Sequence, residues 1–161
     1  MKKFMLVLLA VVVFAALLLL AMRIYLDYTW AAKTSQEFGK KGFVVLTSAA
    51  DYSNVTAPWS MLKTPVTSIW FAKQDLIRMD ANYLSVPQVH VQYKYYAGVE
   101  VNGFYTVYNL ESQQETVILP DSFKKLEDET WQSVSRSETS LAIYKKALSL
   151  AGIDSLNSEI N

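Results

Sequence analysis

The chain has no cysteine. Disulfides, thiolate metal sites, a cysteine nucleophile and a lipid-modified cysteine are excluded, so any domain it forms rests on packing alone. Histidine is nearly as scarce, with His90 the single residue. A metal site or a Ser-His-Asp relay therefore lacks the companions that its spacing requires. Glycine and proline number five and four in 161 residues, and no phosphate-cradling glycine loop, G-x-S-x-G elbow or H-E-x-x-H helix is present. Net charge is also missing, because 15 basic residues balance 15 acidic ones. They are not clustered in the way that neutralising nucleic-acid phosphates requires. The inventory predicts no cofactor, no metal, no nucleic-acid partner and no catalytic residues.

Charge is wholly absent between Phe4 and Met22, FMLVLLAVVVFAALLLLAM, with Lys2 and Lys3 before this run and Arg23 after it. At about 1.5 Å per residue the run approaches the roughly 30 Å hydrocarbon core of a bilayer, and Ile24, Tyr25 and Leu26 extend it. A cleaved signal peptide has an apolar region of about 7–15 residues followed by a small-x-small site. Here the run is longer and leads into MRIYLDYTW, so a retained anchor is expected. The nearest tolerable cleavage pattern, Thr29-Trp30-Ala31, lies well beyond the apolar end. Lys2 and Lys3 favour a cytoplasmic N-terminus. The expected location is a bacterial inner membrane, crossed once, with the C-terminal domain periplasmic or extracellular. Tyr25, Tyr28 and Trp30 fit an aromatic belt at the headgroup level.

The expected divisions are a cytoplasmic N-terminus at 1–3, an anchor at 4–26, a helical stalk at 27–40, an α+β domain at 41–152 and a flexible tail at 153–161. Gly39 is the expected helix stop, and Tyr25, Tyr28 and Ala32 share the face by which the stalk would rest on its own domain or on a partner helix.

Phe43–Leu46 and Val66–Ala72 are short apolar runs of strand type, separated by a Ser/Thr/Pro-rich loop. The segment QDLIRMDANYLSVP holds a helical turn before Pro87. Val89, Val91, Tyr93 and Tyr95 then alternate with His90, Gln92 and Lys94, the period of a strand with one buried and one wet face. Ala97-Gly98 marks a bulge or bend, and Val99–Val101 resumes the strand. Asn102-Gly103 predicts a type I′ hairpin turn, with Phe104–Tyr108 returning antiparallel and Thr116–Leu119 adding a third strand of the meander.

The period changes after Pro120. Asp121 or Ser122 caps a predicted helix in which Phe123, Leu126, Thr130 and Val134 share a face. Ser135-x-x-Glu138 is a capping box for a second helix carrying Leu141, Tyr144, Leu148 and Ala151 on one side, with Gly152 as its stop. Strands first and helices last give an α+β fold: an N-terminal transmembrane helix, then an antiparallel meander with an Asn-Gly hairpin, packed by C-terminal helices.

His90 falls on the polar face of its strand, and Glu127, Asp128 and Glu129 fan around a helix, so neither set converges on a reacting bond. Aromatic residues offer the remaining candidate. Tyr93, Tyr95, Phe104 and Val107 are assigned to the core, whereas Tyr96, Tyr105 and Tyr108 emerge on another face. With Trp59 and Trp70 these three tyrosines would make a patch suited to a protein partner.

The anchor, the tyrosine-rich strand running into Gly98-Val99-Glu100-Val101, and Val117-Ile118-Leu119-Pro120 before acidic helices resemble an uncharacterised family of bacterial single-pass proteins. The resemblance covers Gln88 to Ala151 and departs in a shorter C-terminal helical part. It implies an anchored architecture and brings no activity. The expected function is a non-enzymatic, membrane-anchored module that binds a membrane or envelope protein or supports an envelope assembly. The alternatives are a phage or toxin-like membrane effector, whose layout phage holins share, and an envelope hydrolase.

Overall fold

A computed structural model describes residues 2–49, 67–94, 98–120, 126 and 129–153. A single helix, α1 (Lys2–Lys40), is followed by strands β1 (Phe43–Ala49), β2 (Ser68–Lys73), β3 (Arg78–Asp80), β4 (Tyr83–Lys94), β5 (Gly98–Asn109), β6 (Gln114–Ile118) and β7 (Gln132–Ser133), and by helix α2 (Glu138–Leu150). The strands form one antiparallel sheet in the order β1-β2-β4-β5-β6-β7, with β3 paired to β4. An apolar helix, an antiparallel sheet and a C-terminal helix are thus the α+β arrangement that the sequence predicts.

Helix α1 runs unbroken through the apolar segment and the stalk. Phe4–Met22 has a mean hydropathy of 3.2 and is buried nowhere in the fold, which makes it a candidate membrane span or signal anchor. The helix continues one residue past Gly39, and Gly42 rather than Gly39 takes the left-handed conformation (φ 81°) that turns the chain into β1.

The stalk does rest on its own sheet, but through a different face from the one expected. Trp30 stacks on Tyr93 (centroids 5.3 Å apart) and Phe38 on Phe71 (4.5 Å). Both meet Ile69 and Val91 in a buried cluster. Tyr25 is exposed, and Trp30, assigned above to the aromatic belt, is covered by the domain. Its i, i+4, i+8 spacing with Thr34 and Phe38 repeats slowly enough around the helix to keep one stripe on the sheet.

The opposite face of the sheet is covered by α2. Leu46, Ala72, Leu84, Val86 and Tyr108 pack there on Ile143, Tyr144, Ala147 and Leu148. Ser137, not Ser135, is the N-cap of α2, its Oγ accepting from the Ser140 N–H at 3.1 Å. Gly152 ends the helix as expected (φ 75°). Its N–H donates to the Ser149 carbonyl and that of Ile153 to the Leu148 carbonyl, while Ile153 packs on the core.

Three further sequence expectations are corrected. Asn102-Gly103 makes no turn, since both residues lie inside β5 opposite His90 and Val89; the last described rung between β4 and β5 is Lys94 with Gly98 (φ 85°). Twelve consecutive residue pairs between these strands outweigh the local turn preference of two residues. The helix expected through Val134 is absent from 129–136, where Gln132–Ser133 pairs with β6 and Val134–Arg136 forms a 3₁₀ turn; its beginning lies outside the described residues. Strand β4 begins six residues before Val89 and contains Pro87. Val86 and Pro87 lie between the β4 residues that pair with β3 (Tyr83–Ser85) and those that pair with β2 (Gln88–Gln92), so proline sits where the ladder on that side is interrupted.

Candidate binding cleft on the α2 face

Alternate residues of neighbouring strands share a face, so the register fixes which side chains meet. Trp70 on β2 pairs with His90 on β4, and their rings stack at 4.4 Å. From β5, Phe104, Thr106 and Tyr108 point to the same side, as do Gln88 from β4 and Glu115 and Val117 from β6. Arg136, Ser137, Thr139, Ser140 and Ile143 close the opposite wall. Together they enclose a cleft of about 330 Å³.

The floor of the cleft carries two sets of polar contacts. Gln88 Nε2 donates to Tyr108 Oη at 3.3 Å, and the Tyr108 ring lies 5.0 Å from that of Tyr144. Arg136 reaches back from the 3₁₀ turn to place Nη2 2.9 Å from Glu115 Oε1. Its Nε donates to Ser140 Oγ at 3.3 Å, and the Ser137 hydroxyl donates to the same oxygen at 3.1 Å. Ser140 also lies close enough to the Glu115 carboxylate to favour its charged form. The capping serines of α2 therefore also tie the helix to β6.

Burial sets the protonation of these groups. The Glu115 side chain is 6% exposed. Burial lifts its carboxyl above the ordinary range more than Arg136 and Ser140 pull it down. The Tyr108 phenol is raised well above its usual value, by burial first and by the neighbouring Glu115 charge second, with the Gln88 hydrogen bond opposing. Burial also raises Tyr144. Tyr108 stays a neutral phenol at any physiological pH, and the carboxylate is engaged by a guanidinium that does not give up its proton. The cleft thus offers apolar walls, Trp70, Phe104, Val117 and Ile143, around one paired charge. Among the described residues no group of three or more acidic or histidine side chains is placed to hold a metal ion.

The aromatic residues expected to form one patch are separated. Tyr108 is fully buried, which corrects its assignment to an exposed partner surface. Tyr105 is 44% exposed, but on the stalk face of β5, the reverse of Trp70. Trp70 is half-buried at the edge of the α2-side core and lines the cleft. Trp59 and Tyr96 lie outside the described residues. Val107, expected in the core, is buried, and Phe104 is half-buried at the cleft wall. Glu115 and Arg136 were not anticipated from the sequence. The alternation of Glu115 with Val117 was the only signal, and nothing in the spacing ties residue 115 to residue 136.

Comparison with protein-family models, with curated proteins and with solved structures found no match to this chain.

Proposed function

We propose that the chain is a single-pass protein of a bacterial inner membrane, its N-terminus cytoplasmic and its α+β domain outside, acting as a non-enzymatic module that binds a membrane or envelope protein in an envelope assembly. The observation that carries this reading is the continuity of α1. The helix that supplies the apolar segment is also stacked onto the sheet through Trp30 and Phe38. Such a joint holds the domain in one orientation to the bilayer. A catalyst needs no fixed attitude to a membrane, whereas a docking module gains effective concentration from it.

The cleft is the partner-facing site in this reading. It opens on the face opposite the stalk, its walls are apolar and aromatic, and its charge pair sits at the base; anchoring aromatics within a polar frame are what protein interfaces use. The span itself has neither polar residues nor glycine, which disfavours an effector whose helices associate closely within the membrane.

A photoreactive residue at Val117, which is 44% exposed at the cleft, tests the proposal in intact cells expressing the full chain. The expected result is one discrete adduct, lost when Thr139→Arg fills the opposite wall and absent when the photoreactive residue is at Met79. A pattern at Val117 identical to that at Met79 overturns the cleft as the docking site. Protease added to spheroplasts tests the orientation: a domain left intact contradicts export.

A further inference from the structure

We infer that the Val99 end of the β4–β5 hairpin rests in the lipid headgroup layer of the bilayer that holds the anchor, so that the domain touches the membrane at a second point beside α1. The inference rests on α1 being a span.

Direction comes first. Phe38 stacks on Phe71, and Phe71 pairs with Val89. Trp30 stacks on Tyr93. Passing from Phe38 back to Trp30 covers about 12 Å of helix, and passing from Val89 on to Tyr93 covers about 13 Å of strand. The near-equality of the two lengths means that α1 lies along β4, running opposite to it. The anchor therefore leaves the sheet at the end where β4 gives way to β5, and the hairpin points the same way as the anchor.

Height comes second. If the hydrocarbon-crossing part ends at Leu26, Trp30 stands about 6 Å beyond it. The headgroup layer is roughly 5–8 Å thick on each side. Val99 pairs with Tyr93 and is at the height of Trp30, and the Lys94–Gly98 pair is one residue nearer the bilayer. Val101 sits about 7 Å farther out.

Surface chemistry comes third. Val99 and Val101 are 54% and 55% exposed, on the face of β5 beside the stalk. Two bare valines on one edge match the amphipathic boundary where apolar side chains meet acyl chains. The far end of the sheet, where Met79 on β3 pairs with Leu84, lies about 30 Å away along β4.

The absence of cysteine makes the test clean. Single cysteines at Val12, Met79, Val99 and Val101 are labelled with an environment-sensitive fluorophore. The full chain is then reconstituted into phosphatidylcholine–phosphatidylglycerol vesicles, with nitroxide on either the headgroup or the deep acyl chain. The expected result is deep-chain quenching at Val12, and headgroup quenching that is severalfold stronger at Val99 than at Met79 and intermediate at Val101. Quenching at Val12 with Val99 indistinguishable from Met79 overturns the hairpin contact and leaves the span standing. No deep-chain quenching at Val12 removes the span and the inference with it. Val99 is exposed, so its replacement removes no core contact; unchanged circular dichroism checks this.

Discussion

The cluster beneath the stalk is Trp30, Ile69, Phe71 and Val91, and the buried polar residues on that side of the sheet are the small Thr67 and Thr116, whereas the α2 face buries Gln88, Thr106 and Glu115 among Leu84, Val86 and Tyr108. The stalk side is held largely by stacked rings and by dispersion among apolar side chains. Such a joint is stable and tolerant, which suits a fixed link between an anchor and its cargo. The α2 side carries two polar sets, Gln88 with Tyr108 and Glu115 with Arg136 and Ser140, each of which depends on its own partners. Buried polar groups cost free energy whenever a partner is lost, so they specify one geometry rather than adding bulk stability. The cleft lies over those two sets, on the face where geometry is most tightly specified.

The comparison breaks most visibly at Phe71, which is fully buried beneath Phe38. Phe71→Ala should cost about 3–5 kcal/mol, as large-to-small changes of buried aromatic rings do. Urea titration of the full chain in detergent, followed by tryptophan fluorescence, measures it. Trp30→Ala should cost about 3 kcal/mol, at the low end because a single helix makes the contact. Its signature separates the two faces: hydrogen exchange should rise in residues 30–38 and stay slow in α2. Equal acceleration in α2 would mean that the faces do not fold as distinct packing units.

Next in size comes the polar floor. Tyr108→Phe removes the oxygen that accepts from Gln88. It leaves a buried amide unsatisfied, a loss of about 1–3 kcal/mol. Adding Gln88→Met should recover much of that loss, because an apolar pair has nothing left to satisfy. A double variant as weak as the sum of the singles would show that the pair is not a coupled unit.

The parts of this architecture that were legible are those with a long period or an unambiguous stop. Nineteen uncharged residues marked the apolar helix, the alternation around Val89–Lys94 marked the central strand, and Gly152 marked the end of α2. Asn102-Gly103 misled because its turn preference is local, while β5 is held by pairing along the whole of β4. The site was harder for a geometric reason. Tyr105 and Tyr108 are three residues apart, an odd number, so a strand must send them to opposite faces. Which of the two meets Trp70 depends on register between strands distant in sequence. Glu115 and Arg136 come together only because β7 and the 3₁₀ turn bring the start of α2 back over β6.

The smallest effect tests whether the charge pair at the base of the cleft stabilises the fold at all. Glu115 has its folded-state carboxyl raised, with burial outweighing the attraction of Arg136. A raised carboxyl binds more protons folded than unfolded, so stability is fullest below the unfolded value near 4.3 and falls as pH rises through the folded one. The usual salt-bridge expectation has the opposite sign. Glu115→Gln should flatten this slope and leave stability at neutral pH no lower than in the parent, because the amide needs no counter-charge. Arg136→Met should steepen the slope, since it leaves the carboxylate buried and unpaired. Urea midpoints across pH 4–8 distinguish these outcomes. A parent whose stability rises with pH through that range would mean that the guanidinium outweighs burial, and that the pair contributes to stability rather than serving to place the wall of the cleft.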